Sequence, residues 1–402
     1  MTKDTWHSTP LIELLETLET GSRPKGGVAQ ITDGVPSIGG EHLDSKGGFR
    51  FHNLRYVPHD FFAEMTRGRI NKQDILVVKD GATTGKTSFV SDHFPFETAT
   101  INEHVFLLRP CRKKVLPRFL FYYLYSSGGQ QQILSCFQGA AIGGIPQGFA
   151  RTTQVPVLPL HEQKHIVAIL DAAEELQRLR ELADRRTADL IPALFHEMFG
   201  DPDKNTKRWQ VKALAQVAEL TSGGTPSKEN PAFWNGAIPW LSAKDMKASE
   251  AYDAEDHITE LALEKTTLKK IPANQILVVV RGMILAHTLP LCITRVPVTI
   301  NQDLKAIMPD EKIIDSEYLL WTLMAFCPLL LAKVSSAGHG TKKLDVPRLI
   351  ETPVPIPPLP LQCHFANRVA GIRAMEANQS TSRRRLNDLF QSLLHRAFRG
   401  DL

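Results

Sequence analysis

The chain has 402 residues, which allows two or three domains, and 43% of them are apolar, as in ordinary globular proteins. Its net charge of +4 permits a nucleic-acid partner without requiring one. The five cysteines never form a CxxC pair, which argues against a disulfide framework or a cysteine-based zinc site and for a reducing compartment. The N-terminal residues carry acids where a signal peptide needs a basic flank, and no apolar run approaches roughly 18 residues. We therefore expect a cytoplasmic protein that does not cross a membrane.

The first part of the chain is predicted to form a mixed α and β domain. Residues 11–18 are a candidate short helix, residues 74–79 (DILVVK) have the apolar run of a buried strand, and residues 119–125 are an apolar helix candidate. Pro156 and Pro159 then lead into a longer helix, because proline is well tolerated at the start of a helix.

The middle of the chain contains a predicted long helix at residues 160–199. Apolar residues recur there every three or four positions, the interior lacks glycine, and the one proline, Pro192, lies near the far end. At 1.5 Å per residue such a helix would be roughly 55 Å long, whereas the average globular helix has about 11–12 residues. A helix of this length in the middle of a chain usually separates two domains.

After this helix the sequence repeats itself. The segment GSRP at 21–24 returns as GGTP at 223–226, and DILVVKDG at 74–81 returns as QILVVVRG at 275–282. A second candidate long helix follows at residues 361–398. This is a tandem duplication of a globular unit plus a long helix, with a period much longer than that of a solenoid repeat. The predicted division is a first globular domain at 1–155, a central long helix at 156–204, a second globular domain at 205–358 and a C-terminal long helix at 359–402.

The two predicted helices are expected to pair with each other. Residues 156–204 carry 6 basic and 10 acidic side chains, and residues 359–402 carry 7 and 3, so the helices have opposite net charges. Burying their apolar stripes on each other would give an antiparallel coiled coil with pseudo-twofold symmetry and would place the domains at opposite ends. The alternative is that each helix docks separately on its own domain. The side chains expected in the helix-pair core are Ile166, Ile169, Leu170, Leu176, Leu179, Leu190, Leu194, Phe365, Val369, Ile372, Leu386, Leu389 and Leu393.

Three motifs resemble catalytic signatures but lack the rest of the chemistry. The HExxH pattern at residues 161–165 has no third zinc ligand within reach along the same rigid helix. The turn at residues 81–87 (GATTGKT) is one residue short of a P-loop. Residues 230–233 (NPAF) differ at the third position from the Asn-Pro-Pro-Tyr/Phe loop of adenine methyltransferases. We therefore predict no catalytic residue, no metal site and no cofactor in this chain.

Three segments of the duplicated sequence carry a family signature. They are residues 223–246 (GGTPSKENPAFWNGAIPWLSAKDM) and the proline-strand-to-helix junctions at residues 155–170 and 352–369. With the order domain, helix, domain, helix, they make the chain resemble the specificity (S) subunit of type I restriction–modification enzymes. The resemblance implies an α/β (mixed α+β) fold with two tandem target recognition domains, each reading one half of a split DNA sequence. It also implies that the paired helices fix the separation of the half-sites.

The same resemblance implies a DNA-binding subunit without catalytic activity of its own. Two methyltransferase (M) subunits would bind it, and restriction (R) subunits would join that core on double-stranded DNA with a split recognition sequence. S-adenosylmethionine, ATP and Mg²⁺ would belong to those partners, which carry out DNA methylation and cleavage. The alternative function is a duplicated protein-binding scaffold without base readout.

The residues expected to contact DNA lie in polar turns between the matched strands. Arg281 is the leading base reader, because it ends a strand and a guanidinium pairs bidentately with guanine. For every candidate the alternative is a solvated loop position. In the first domain the candidates are Arg23, Lys25, Glu41, His42, Lys79, Asp80, Thr83, Thr84, Lys86 and Asn102. In the second domain they are Thr225, Ser227, Lys228, Ser242, Lys244, Asp245, Arg281, His287, Asn301, Lys342 and Lys343.

Overall fold

The computed structural model describes residues 6–28, 31–139, 143–336 and 340–402. The chain divides into two compact units, of which the first contains Met1–Glu181 with Thr381–Leu402 and the second contains Leu182–Ser380. Each unit therefore combines the region of one predicted recognition domain with segments from both predicted long helices. The functional domain boundaries stay predictions from the sequence.

The first unit is built on a four-stranded antiparallel sheet. In chain order its strands are β1 His7–Pro10, β2 Leu15–Thr20, β3 Val35–Ile38, β4 Arg55–Val57, β5 Ile75–Val78, β6 Thr87–Phe89, β7 Thr100–Ile101, β8 Val105–Pro110 and β9 Gln154–Val157. Its helices are α1 His59–Glu64, α2 Pro117–Tyr125, α3 Ser127–Ser135, α4 Phe149–Thr152 and the first part of α5 Leu160–Ala188. The main sheet has the order β2-β8-β5-β6, a second sheet has the order β4-β3-β7, and β1 pairs with β9.

Strand β5 is apolar throughout because both of its faces are covered. Ile75 and Val77 lie in one core together with residues of α2, whereas Leu76 and Val78 lie in another core with residues of β3 and β7. Successive side chains of a strand point to opposite faces, so a strand between two cores needs a continuous apolar run. The buried strand predicted at residues 74–79 is therefore confirmed, and its run of four apolar residues has a physical cause.

The second unit repeats this plan with a larger sheet. Its strands are β10 Gln210–Ala213, β11 Ala218–Ser222, β12 Trp234–Leu241, β13 Glu250–Ala251, β14 Asp256–Ile258, β15 Ile276–Val279, β16 Leu291–Thr294, β17 Thr299–Ile300, β18 Leu304–Pro309, β19 Ser335–Ser336, β20 Lys342–Lys343 and β21 Pro353–Ile356. Its helices are α6 Leu190–Phe199, α7 Glu260–Lys265, α8 Ser316–Ala325, α9 Cys327–Ala332, α10 Val346–Ile350 and part of α11 Leu359–Ala397. The sheets have the orders β11-β18-β15-β16-β13, β14-β12-β17, β10-β21 and β19-β20.

One local prediction was wrong: residues 11–18 do not form one helix, because a short 3-10 turn at Leu11–Leu14 is followed by strand β2, which pairs with β8. The long helix predicted at residues 160–199 is present as α5 and α6, with one interruption at Asp189. Pro192 accounts for this interruption, since it has no amide hydrogen to donate to the carbonyl of Ala188 four residues earlier.

In each unit, segments of the two long helical regions share a core. In the first unit Ile166 and Leu170 of α5 lie in the same apolar cluster as Phe390 and Leu394, near the end of α11. In the second unit the ring of Phe195 in α6 lies 5.7 Å from that of Phe365 near the start of α11, and Leu194 and Val369 lie in the same core.

Four of the predicted helix-pair core residues are exposed instead. Leu176, Leu179, Leu190 and Leu389 keep between 42% and 49% of their surface accessible. The buried positions of α5 repeat at the spacing Gln163, Ile166, Leu170 and Ala173, which is the 3.5-residue period of a paired helix. The exposed leucines do not lie at positions with this period, so their apolar character alone did not predict whether they are buried. Ile169, Ile372, Leu386 and Leu393 are half-buried.

Candidate nucleic-acid interface

The glycine of the repeated turn motif brings the candidate loops against the strand ends. A Cβ atom at Gly21 would lie 1.8 Å from the carbonyl oxygen of Ile101, and one at Gly223 would lie 1.9 Å from that of Ile300. Only glycine permits so close an approach of two backbone segments. The repeated glycine therefore places the turn after β2 beside the end of β7, and the turn after β11 beside the end of β17.

In the first unit the end of strand β5 meets the turn between β7 and β8. The amide of Lys79 donates to the carbonyl of His104 at 2.8 Å, and the side chains of His104 and Asp80 lie 2.6 Å apart. The ammonium of Lys79 lies 3.8 Å from the Asp80 carboxylate. This edge of the first unit therefore has the Asp80 carboxylate at its centre, with the Lys79 ammonium and the His104 ring beside it.

A small cleft lies beside this edge. It is lined by Arg23, Glu41, Asn102 and Glu103, among other residues, so the structure brings together three of the predicted first-domain candidates. Arg23 forms a 2.7 Å ion pair with Glu103, and both side chains stay more than 30% exposed. An ion pair this accessible contributes little to stability and leaves the guanidinium able to change partners.

Two first-domain candidates have structural roles. His42 is fully buried; its Nδ1 accepts from the amide of Gly39 at 2.9 Å and its Nε2 lies 3.2 Å from the carbonyl of His52. The ring has no accessible atom for a base, so the prediction that His42 contacts DNA does not hold in this conformation. The ammonium of Lys86 donates to the carbonyl of Leu43 at 3.0 Å and is half-buried.

In the second unit the end of β15 carries a group of basic side chains, here termed the basic edge: Arg281, Lys305, Lys342 and Lys343. Arg281 forms a backbone bridge with Lys343, and the amide of Gly282 donates to the carbonyl of Lys342 at 3.0 Å. Burial, followed by the charge of Arg281, lowers the pKa of Lys305. Burial is the larger cause of the depressed pKa, and the nearby Arg281 is the smaller one. Several basic side chains at one edge are typical of a phosphate-binding surface.

The loop that follows Arg281 exposes apolar side chains. Met283 keeps 62% of its surface accessible and Ile284 keeps 40%, in the short 3-10 turn Met283–Ala286. His287 is exposed at its end. The equivalent turn of the first unit contains Ala82 and Thr83, so the two loops differ in chemistry as well as in charge.

The remaining candidates of the second unit divide between the interface and local support. Asn301 is buried; its side chain accepts from the amide of Asp303 at 3.0 Å. The hydroxyl of Thr225 lies 2.6 Å from the side-chain carbonyl of Gln302, beside Asn301. These residues shape the loop next to the basic edge.

The turn after β12 is held by its own side chains. The Asp245 carboxylate accepts from the amide and the hydroxyl of Ser242, at 2.9 and 3.0 Å, and also from the amide of Glu255. The ammonium of Lys244 pairs with Asp256 at 2.9 Å. Both oxygens of Asp245 thus help to hold the turn, and its contact with DNA stays a prediction.

The two tryptophans of the second-domain signature lie on strand β12. Their rings meet edge to face at 5.2 Å; Trp234 donates to the carbonyl of Ser227 at 3.0 Å and Trp240 donates to that of Gly224 at 2.9 Å. They therefore support the turn that carries Lys228. Lys25, Thr83, Ser227 and Lys228 are all exposed in their loops, and the hydroxyl of Thr84 donates to the carbonyl of Gly81 at 2.7 Å.

Lys305 and His104 belong to these edges but were missed from the sequence. Lys305 lies in strand β18, between the buried residues Leu304 and Ala306, and its ammonium reaches Ser222 at 2.5 Å. His104 was passed over in favour of Asn102 two residues earlier. For His104 the repeat offered a signal, because His104 and Asp303 occupy equivalent positions in the repeated INEHV and INQDL segments and both are polar.

The catalytic look-alikes have other roles. The side chain of Asn230 accepts from the amide of Ala232 at 3.2 Å and so caps a short 3-10 turn. The side chains of His161 and His165 are exposed at the start of α5. Among the residues that the structure describes, no group of three or more His, Cys, Asp or Glu side chains is placed to hold a metal ion. Within the same residues, no helix has the length and apolarity needed to cross a membrane.

The structure thus defines a duplicated α/β protein whose two units present strand-end loops with charged side chains and contain segments of the long helices. The family model for the type I restriction modification DNA specificity domain matches residues 6–183 and residues 206–369. Because these matches cover most of the sequence, the chain belongs to the family of type I restriction–modification specificity subunits.

Individual relatives agree with this family. The chain is 34% identical over 206 residues to the Type I restriction enzyme EcoR124I/EcoR124II specificity subunit of Escherichia coli, a match that covers 50% of this chain and 49% of the relative. It is 23% identical over 411 residues to the EcoBI specificity subunit of Escherichia coli, covering 93% and 84%. The chain therefore spans about half the length of the first of these relatives.

Solved structures share the fold. A chain from a structure described as "Structural basis underlying complex assembly and conformational transition of the type I R-M system" has a TM-score of 0.64 at 18% identity and full coverage of both chains. The type I restriction–modification S subunit from M. genitalium has a TM-score of 0.57 at 14% identity, with 99% of this chain and 97% of that chain covered. At these identities the likeness establishes the fold alone.

Proposed function

We propose that this chain is the non-catalytic DNA sequence-specificity subunit of a type I restriction–modification complex. The observation that carries the proposal is that two units with the same strand framework, both matched by the DNA specificity family, end in loops of opposite chemistry. Asp80 stands in the first unit where Arg281 stands in the second. Two readers built on one scaffold but with different side chains suit a DNA site whose two halves differ in sequence.

In the second unit we assign base readout to the loop that begins at Arg281. A guanidinium at a strand end can pair with O6 and N7 of guanine, and Met283 and Ile284 offer apolar contact to a thymine methyl group. Lys305, Lys342 and Lys343 then neutralise phosphates and set the register on the duplex. In the first unit Asp80 can accept from a cytosine amino group, while Arg23 and Lys79 supply the positive charge.

The long helices are assigned the role of a spacer. Antiparallel pairing is supported in both units: the start of α5 shares a core with the end of α11, and α6 shares a core with the start of α11. In the first unit the side-chain amide of Gln177 also donates to Asn387 at 2.9 Å. A coiled coil of this kind would hold the half-sites apart by base pairs that no residue reads, since one DNA turn is about 34 Å.

The proposal includes partners in the cytoplasm. Two methyltransferase subunits would bind this chain, restriction subunits would join them, and S-adenosylmethionine, ATP and Mg²⁺ would act in those subunits. Neither predicted recognition domain is strongly basic, with 17 basic and 14 acidic residues at 1–155 and 17 and 16 at 205–358. Affinity for DNA is therefore expected to depend on the partner surfaces as well.

Co-expression with a methyltransferase subunit from the same genome tests the proposal. We expect a complex with two methyltransferase chains per copy of this chain, and long-read sequencing of host DNA should show methylated bases in a consensus of two short parts. Methylation without a split consensus would contradict the assignment. A stable complex that leaves DNA unmethylated would instead favour a protein-binding scaffold.

A further inference from the structure

Each unit docks a helix of its recognition domain on the start of a long helix through the same polar anchor. The side-chain carbonyl of Gln163 accepts from the amide of Leu116, at the start of α2, at 2.8 Å. In the second unit the side-chain carbonyl of Gln362 accepts from the amide of Asp315, at the start of α8, also at 2.8 Å. Both glutamines are fully buried. The anchor is thus identical in the two units.

Next to this anchor the first unit has a cation on the domain and anions on the long helix. Arg118 of α2 forms ion pairs with Glu174 and, at 2.8 Å, with Asp171 of α5. The hydroxyl of Tyr122 donates to Asp171 at 2.6 Å, and the guanidinium carbon lies 4.7 Å from the centre of the Tyr122 ring and 4.8 Å from that of Phe89. Because aromatic ring faces attract cations, the two rings and the two carboxylates together stabilise the positive charge of Arg118 on α2.

The second unit has the opposite arrangement. Glu317 of α8 forms ion pairs with Arg373 of α11 and with Arg295, and Glu250 lies 3.0 Å from Arg373 and 2.5 Å from Arg295. The side chains of Glu317 and Arg373 keep only 9% and 11% of their surface accessible. Two cations and two anions therefore neutralise each other in a site with little water.

The reversed residues occupy equivalent positions of the repeat. Arg118 is the second residue of α2 and Glu317 is the second residue of α8. Glu174 follows its anchor glutamine, Gln163, by the same number of residues as Arg373 follows Gln362. The duplicated halves have kept the position of the contact and exchanged the sign of its charges.

We propose that this charge-reversed ion pair makes each recognition domain specific for its own long helix, so that the two domains are not interchangeable. A copy of the second domain in the first position would set Glu317 against Asp171 and Glu174. A copy of the first domain in the second position would set Arg118 against Arg373. The glutamine anchor is common to both positions and does not discriminate. The inference rests on the proposed function only in treating the two units as recognition domains.

A full-length chimera tests the proposal. Residues 6–155 are replaced by a second copy of residues 209–354, and melting temperature and co-purification with the methyltransferase subunit are measured. We expect the chimera to melt below the native chain, and Glu317→Arg in the transplanted copy to raise the melting temperature by about 5 °C or more. The matched control is Glu219→Arg in the same copy, an exposed strand residue with the same change of charge, which should have no such effect. Equal gains from both substitutions, or no gain from Glu317→Arg, would overturn the proposal.

A second measurement uses the native order of domains, in case the chimera does not fold. Arg118→Glu should lower the melting temperature by about 5 °C, because it places three carboxylates together. Adding Asp171→Arg and Glu174→Arg should recover at least half of that loss, which removal of a merely structural residue would not permit. Failure of this recovery would count against the proposal. Because melting needs no DNA, a chain that behaves as expected here but supports no split methylation would overturn the proposed function alone.

Discussion

The two units of this protein have the same strand framework. They carry side chains of opposite charge at the end of the central strand and at the contact between the domain and its long helix. Strands β5 and β15 have the same buried ILVV sequence, and Gln163 and Gln362 make the same anchor. At the strand end, by contrast, Asp80 in one unit corresponds to Arg281 in the other. The framework is shared because it must bury the same apolar faces, whereas the side chains of Asp80 and Arg281 are partly or fully exposed and can differ.

The difference teaches that reading, docking and spacing are carried by separate residues. Reading is assigned to the loops that follow β5 and β15, docking to the ion pairs beside the anchor glutamines, and spacing to the long helices. Each can then be changed while the others are kept. The predictions below use that separation, from the largest expected effect to the smallest.

Exchange of one recognition domain should change half of the DNA target. If residues 205–358 are replaced by the corresponding domain of a relative, one part of the methylated consensus should change completely and the other should stay the same. The reason is that each unit is proposed to read its half of the DNA site with its own loops. Long-read detection of methylated bases measures both parts at once. The reciprocal exchange of residues 1–155 is the control and should change the other part. A change in both parts, or in neither, would break the assignment of one half-site to each unit.

Longer helices should move the half-sites apart without altering them. Inserting about one helical turn (roughly four residues) into both long helices adds about 6 Å, which corresponds to about two base pairs of DNA. The methylated consensus should gain that spacing while both half-site sequences are retained. An unchanged spacer would show that the helices do not set the separation.

Buried and exposed leucines of α5 should differ in their effect on stability. Leu170 is fully buried, so Leu170→Ala should lower the free energy of unfolding by about 2–4 kcal/mol. Leu179 is 46% exposed, so Leu179→Ala should lower the free energy of unfolding by less than about 1 kcal/mol. Val369 of α11 is the buried equivalent of Leu170 in the second unit, so its change to alanine should also lower the free energy of unfolding. Urea denaturation measures all three, and equal effects at residues 170 and 179 would contradict the 3.5-residue spacing of the buried face.

Loss of the leading base reader should relax one position of one half-site. Arg281→Ala should reduce discrimination at a single base pair by about 1–3 kcal/mol, because the bidentate contact with guanine is lost. Asp80→Ala is the matched change in the first unit, and it should leave the half-site assigned to Arg281 and the second unit unaffected. Binding of the methyltransferase complex to DNA with single substitutions measures both variants. A uniform loss of affinity for all sequences would show that Arg281 contacts phosphate rather than a base.

Several features followed from the sequence because they depend on local chemistry. The internal repeat, the apolar strand runs and the long helices have a period or composition that no distant contact has to supply. The family resemblance rested on the same segments and was confirmed by the match to the DNA specificity domain. The list of DNA-contacting residues stays a prediction, although the structure gathers Arg281, Lys342 and Lys343 at one edge.

The tertiary structure decided which side chains are available and which partner each one has. Asp189 interrupts the central helix, and His42 is buried although Glu41 beside it is exposed. Lys305 joins the basic edge from a strand that otherwise faces the core. The pairing of Arg118 with Glu174, and of Glu317 with Arg373, joins residues 56 positions apart in each unit. Such contacts depend on how a folded helix meets another element, and only the assembled fold fixes that geometry.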